Sequence, residues 1–122
     1  MPHARRRLCD RGEQLAEAFL ARRGYVMVAR NYRCAGGEVD LICRDGDVLA
    51  FVEVKTRRGS AFGAPEEAVT AGKIVHIAAA AEHYLAEFDL ASAAWRIDVV
   101  AIQLDSMGGL IDVRLVCNAA DW

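Results

Sequence analysis

The chain has no Cys-x-x-Cys pair, only three histidines, two prolines, and no apolar run approaching the length of a bilayer. Each shortage closes a class. The four cysteines stand at 9, 34, 43 and 117, so the paired spacing of a structural zinc site is missing. His76 and His83 fall seven residues apart on one expected helix face, but no third ligand is spaced to join them. A membrane helix needs about 20 mostly apolar residues in a row, and the chain offers none. The opening MPHARRRLCDRG is basic, yet no apolar segment follows it. No secretory signal is expected, and the cysteines read as reduced thiols of a cytoplasmic protein with no membrane partner. There is no internal repeat, low-complexity tract or linker. The 122 residues fit one domain over 1–122, with 1–9 as a flexible basic N-terminus.

Strong basic charge is also missing. The net charge is −2 and the sequence pI is near 5.9, whereas a non-specific nucleic-acid coat calls for a pI above about 9. The charge is nevertheless uneven. Residues 1–33 balance to +5, residues 34–58 to −1 and residues 59–122 to −6. A basic first third can contact phosphate, or it can be a solvated arginine-rich start; charge alone does not separate the two.

What is present is ordinary globular material, 54% hydrophobic and 26% charged, with clear periodicity. Asp10-x-x-Glu13 has capping-box spacing and predicts a helix start at Asp10. Leu15, Ala16, Phe19 and Leu20 form its apolar stripe, and Arg22-Arg23-Gly24 its stop. Strands are expected over 25–31, 38–43 and 47–55, the last two joined by an Asp45-Gly46 hairpin turn. A loop follows over 56–64, then a short helical turn over 65–69. Thr70 caps a helix to about Phe88 with Ile74, Ile77, Ala78, Ala81 and Leu85 inside. Strands over 95–104 and 110–117 finish the chain. The order α-β-β-β-α-β-β predicts an α/β fold, a mixed sheet with helices packed on it.

The stretch FVEVKTR, Phe51 to Arg57, ends a run apolar enough to be a buried strand with Glu53 and Lys55 on one face. With Asp45-Gly46 as the turn, Arg44 faces Asp47, Asp40 faces Phe51, and Asp40 and Glu53 are diagonal neighbours roughly 7–8 Å apart. Two adjacent carboxylates repel unless a cation lies between them. Hard oxygen donors suit Mg²⁺ or Mn²⁺, and such an ion lowers the pKa of its bound water and polarises a phosphoryl oxygen. Lys55 would add a cation where charge builds on phosphorus. The competing reading is plain: Glu53 pairs with Lys55 at a sheet edge and Asp40 caps a turn.

The residues around this pattern carry a resemblance. Gly12-Glu13-x-x-Ala16-Glu17, Gly24-Tyr25, Asn31-Tyr32-Arg33, Gly37-Glu38-Val39-Asp40-Leu41-Ile42, Phe51 to Arg57, Phe62-Gly63-x-Pro65, Lys73 and Arg96-x-Asp98-Val99-Val100 resemble the YraN-like bacterial family. That family is similar to the PD-(D/E)XK nucleases and Holliday-junction resolvases. The resemblance implies a restriction-endonuclease-like core and a nuclease of DNA, in preference to RNA, acting on branched or recombination intermediates. It implies Asp40 and Glu53 as metal ligands, Lys55 as the catalytic lysine, and Glu17 as a further helix carboxylate at the metal. By analogy with resolvases it also implies a two-fold homodimer. The alternative is a nucleic-acid-binding module of nuclease fold that cuts little or nothing. Thr56, Arg57 and Arg58 after the motif, with Arg30 and Arg33 on the first strand, are the expected backbone contacts; solvated charge is the bland reading of each arginine. The loop Gly59 to Ala64 is a cover for substrate or a connector. Ile97 stands where the family usually has Phe, and the ending VCNAADW matches the family only in part.

Overall fold

Residues 2–59 and 63–119 are described by a computed structural model, with side chains from Leu8 onward. Five strands form one sheet in the order β1-β2-β3-β4-β5: Val26–Cys34, Gly37–Asp45, Val48–Arg58, Ala94–Leu104 and Leu110–Val116. Only β3 and β4 pair in parallel, as their separation by a crossover helix requires. Helix α1 (Pro2–Arg22) precedes β1, and α2 (Ala71–Glu87) lies between β3 and β4 after a single 3-10 turn, Pro65–Ala68. The α-β-β-β-α-β-β order and mixed sheet expected from the sequence are those observed, and they fit a restriction-endonuclease-like core. Among the described residues no helix is long and apolar enough to cross a membrane.

The helices cover opposite faces, which explains the near-continuous apolar run of β3. On one face Ile42, Leu49 and Phe51 pack under Ile77, Ala80, Ala81, Tyr84 and Leu85 of α2. On the other, Leu41, Cys43, Ala50 and Val52 pack under Ala16 and Leu20 of α1. Each leucine, isoleucine, valine or phenylalanine among them, once fully buried, contributes about 1.5–3 kcal/mol.

Several boundaries differ from expectation. Helix α1 begins at Pro2, so Asp10 and Glu13 sit inside it and their capping-box spacing caps nothing. Strand β3 runs through Arg58, taking in the Thr56-Arg57-Arg58 segment expected as loop, because β4 continues alongside to Leu104. Of the expected Gly59–Ala64 loop, residues 60–62 lie outside the described residues, as do 120–122 of the divergent tail. The β2–β3 register is shifted by two: Asp45 pairs with Val48 and Arg44 with Leu49. The turn is Gly46-Asp47, with Gly46 at φ 60 in the first central position, the place a type II′ hairpin turn reserves for glycine. A shift of two preserves which face each residue of β3 occupies.

The hairpin joining β1 and β2 lies directly on α2. A Cβ at Gly37 would run into the backbone carbonyl of His76. Gly37→Ala is therefore expected to lower stability by about 1–3 kcal/mol, since neither backbone can move without dragging its element. A thermal melt that leaves this variant equal to the wild type would contradict the contact.

Candidate active site

The ladder between β2 and β3 ends at Leu41–Val52, although β3 continues for six more residues beside β4. One step beyond that last pair, the register sets Asp40 opposite Glu53, closer than the diagonal relation expected from the sequence. The pleat of β2 also breaks here. Val39 joins the core under α2 while Leu41, two residues on, joins the core under α1. The break lies across from Asn31, whose φ of 51 interrupts β1 between Arg30 and Tyr32. Freed from the ladder, Asp40 takes over one of its bonds: Val54 N–H donates to Asp40 Oδ2 at 2.8 Å.

The splayed strands open a cavity of about 250 Å³ between α1 and α2. Asp40, Glu53, Lys55 and Thr56 line it from the sheet, Glu13 from α1 and Lys73 from α2. Helix α1 reaches it because Gly12 allows close approach; a Cβ there would meet Thr56 Oγ1. Glu13, the next residue, is thereby delivered to the cavity wall.

Glu53 is the unusual member. It is only 2% exposed, yet Lys73 Nζ lies 3.3 Å and Lys55 Nζ 3.7 Å from its Oε2. Burial, and then the charge and hydrogen-bonding proximity of Asp40, push its carboxyl up to about 8 despite both ammonium groups. Glu13 is raised by burial and by Asp40 as well. Burial works against the Lys73 ammonium, but Glu53, Glu38 and Asp40 outweigh it and raise its pKa. The cavity therefore gathers carboxylates more densely than its two lysines neutralise, and the most deeply buried of them holds a proton more tightly than an ordinary carboxyl.

A metal fits this donor set within limits. Among the described residues no three His, Cys, Asp or Glu side chains converge to hold an ion. That leaves two facing carboxylates, Asp40 and Glu53, with Glu13 nearby. Mg²⁺ is commonly held by one or two carboxylates together with water and substrate phosphate oxygens. The all-oxygen set suits Mg²⁺ or Mn²⁺ rather than a soft-ligand metal.

The remaining residues singled out in the sequence are dispersed. Glu17 is not on the cavity wall. Arg30 holds it, donating to both its oxygens at 2.6–3.0 Å. Arg33 is exposed, with its Nε 3.3 Å from Glu38 on the neighbouring strand. Arg58 Nε donates to Ser106 O at 3.0 Å and braces the β4–β5 turn. Arg57 is half-buried beyond Lys55 on β3. Glu13 and Lys73 were not among the site residues picked from sequence, although a signal existed for each. Gly12 marks the close-approach face of α1 beside Glu13. Thr70 caps α2 by accepting from Lys73 N–H at 3.2 Å, which fixes Lys73 in the first turn.

Arg96 and Asp98 belong to a different structure. Asp98 is fully buried. It accepts from Arg96 Nε at 2.9 and 3.0 Å, from the Tyr25 hydroxyl at 3.0 Å and from Asn118 N–H at 3.1 Å. A terminal nitrogen of Arg96 reaches on to Asp45 at 2.7 Å. Burial and the charge of Asp98 raise the Tyr25 hydroxyl, keeping it a donor. This network ties β2, β4 and the chain on either side of them, and lines no part of the cavity.

Compared with known proteins, residues 12–102 match an uncharacterised protein family, UPF0102. A UPF0102 protein of Roseiflexus castenholzii is 52% identical over 106 residues, 85% of each chain. One from Chloroflexus aurantiacus is 47% identical over 112 residues, 91% of this chain and 89% of its own. One from Symbiobacterium thermophilum is 47% identical over 114 residues, 93% of this chain and 96% of its own.

Proposed function

We propose that this chain, which belongs to the uncharacterised protein family UPF0102, is a divalent-metal-dependent nuclease. The observation that carries this reading is the buried Glu53 carboxyl facing Asp40, with two lysines at its rim. A carboxyl in that position is costly to the fold unless a cation offsets it. Asp40 and Glu53 would hold Mg²⁺ or Mn²⁺, and the ion, when bound, supplies Lewis-acid polarisation of a phosphoryl oxygen. Lys55 and Lys73 stabilise the negative charge that grows on the phosphoryl group as water adds to phosphorus and the bond to the sugar oxygen breaks. Asp40 is held in place by Val54 N–H. Glu13 lines the α1 side of the cavity and is the helix acid this reading assigns to it, ahead of the Arg30-bound Glu17. DNA is the favoured polymer, at branched intermediates.

One observation favours a second reading, a nucleic-acid-binding module that does not cut. Two ammonium groups already lie against Glu53, which offsets its charge without a metal.

A cleavage panel separates the two. Single strands, duplexes, flaps and four-way junctions of DNA, with RNA alongside, are incubated with Mg²⁺, Mn²⁺ or EDTA. Wild type is expected to cut only with metal. Glu13→Gln is expected to lose roughly 10-fold or more, and Glu17→Gln much less. Equal cutting in EDTA, or a larger loss from Glu17→Gln than from Glu13→Gln, would overturn this assignment of the site.

A further inference from the structure

A second cavity, about 410 Å³, adjoins the first and shares Glu38 and Lys73 with it. Its walls are the β1–β2 hairpin, from Arg33 through the Gly36-Gly37 turn, and the first turns of α2 at Lys73 and His76. Resting on the nuclease reading above, we infer that this groove seats the nucleotide next to the scissile phosphodiester. Arg33 and Lys73 hold its phosphate and the His76 ring carries its base or sugar.

Three features carry the inference. First, the volume is that of a small-ligand pocket, and its continuity with the catalytic cavity through Lys73 gives a strand one path across both. Second, an exposed cation stands at the groove beside Lys73, which pairs with Glu53 at 3.3 Å. Arg33 is exposed, its Nε lies 3.3 Å from Glu38 Oε2, and no other residue partners its guanidinium among the described residues. A guanidinium with five N–H donors and this one carboxylate partner has donors left for the bidentate grip on phosphate that its planar geometry favours. Third, the exposed His76 side chain lines the groove, and its ring is tethered there by Nδ1, 3.3 Å from Gly36 O. Histidine is among the side chains on which unstacked bases rest. Glu38, the one carboxylate shared by both cavities, is offset by Arg33 and suits a hydroxyl or amino donor better than phosphate. The close seating of Gly37 on the His76 carbonyl fixes the width of the groove.

The inference is tested by fluorescence anisotropy with labelled DNA and RNA oligonucleotides, at pH 8 without metal, across a salt series. Arg33→Ala is expected to weaken binding and reduce the slope of log affinity against log salt by about 1; Arg33→Lys is expected to restore the slope. His76→Ala is expected to weaken binding roughly 5- to 10-fold with the slope unchanged, the signature of a lost stacking contact rather than a lost charge. The DNA and RNA arms show which polymer the groove takes. Unchanged affinity and slope in both alanine variants, or no binding by wild type, would overturn the groove assignment. Cleavage by the same preparations tests the nuclease reading separately. Binding that depends on Arg33 without cutting leaves the groove and removes the nuclease. Metal-dependent cutting lost in Glu53→Gln, with binding indifferent to Arg33 and His76, does the reverse.

Discussion

Glu53→Gln is expected to abolish metal-dependent cutting, by roughly 100-fold or more, while making the metal-free protein more stable. The two effects share one cause. Glu53 is buried beside Asp40, and its carboxyl is pushed up to about 8, against an ordinary value near 4.3 in an unfolded chain. The folded state therefore binds the proton more tightly than the unfolded state. Below the unfolded value the side chain is neutral in both states and costs nothing. As pH rises from there through about 8, folding must either retain a proton or bury a charge, and stability falls. Glutamine keeps the shape and never ionises. The stability difference is expected to grow between pH 5 and 8 and to reach on the order of 1–3 kcal/mol at the upper end, visible as a melting point several degrees higher. Saturating Mn²⁺ is expected to narrow that gap, since it stabilises the wild type by mass action and the variant far less. Melting curves at four pH values, with and without metal, check each part. A variant less stable than wild type at pH 8 would contradict the strain assigned to Glu53.

The largest loss of stability is expected from Asp98→Ala. This carboxylate is fully buried and satisfies Arg96, Tyr25 and the Asn118 amide at once. Removing it takes the acceptor from Arg96 Nε, the Tyr25 hydroxyl and the Asn118 amide and leaves Arg96 tied to Asp45 and Tyr25. Breaking a buried ion pair from one side costs about 3–5 kcal/mol. Tyr25→Phe, which removes one donor to Asp98 and one acceptor of Arg96 but leaves the Arg96–Asp98 pair intact, is expected to cost about 1–2 kcal/mol. Denaturant midpoints measure both. Cutting per folded molecule is expected to be unaffected by Tyr25→Phe, because the network lies outside the cavity. A cost for Asp98→Ala no larger than that for Tyr25→Phe would show that Asp45 suffices to hold Arg96.

Much of the fold could be read in advance. The apolar run over 48–54 announced a strand buried on both faces, and the spacing of Ile77, Ala81 and Leu85 announced the helix above it. The nearness of Asp40 and Glu53 was also legible, but only as a diagonal relation, because the register read from the sequence is two residues off and sets Asp40 opposite Phe51. Asp45-Gly46-Asp47 permits glycine in either central position of a two-residue turn, and local pattern does not choose between them. The pleat break at Asp40 was not legible at all, because it depends on Asn31 in the neighbouring strand adopting a positive φ. The start of α1 was misplaced because Asp10 and Glu13 have the spacing of a cap inside a helix that had already begun. Glu13 and Glu17 lie one turn apart, so helical period alone cannot tell which meets the sheet; the contact of Gly12 with Thr56 decides it. Lys73 is 18 residues from Lys55 on another element, and only the packing of α2 against the hairpin brings its ammonium to Glu53.

The most direct test is a calorimetric titration of Mn²⁺ into the metal-free protein at pH 7, repeated in buffers of different ionisation enthalpy. If Asp40 and Glu53 receive the ion, Glu53 must first surrender its proton. Binding is then expected to release protons in the wild type, and to be lost or greatly weakened in Glu53→Gln. No binding by the wild type, or equal binding by the variant, would contradict a metal site between these two carboxylates.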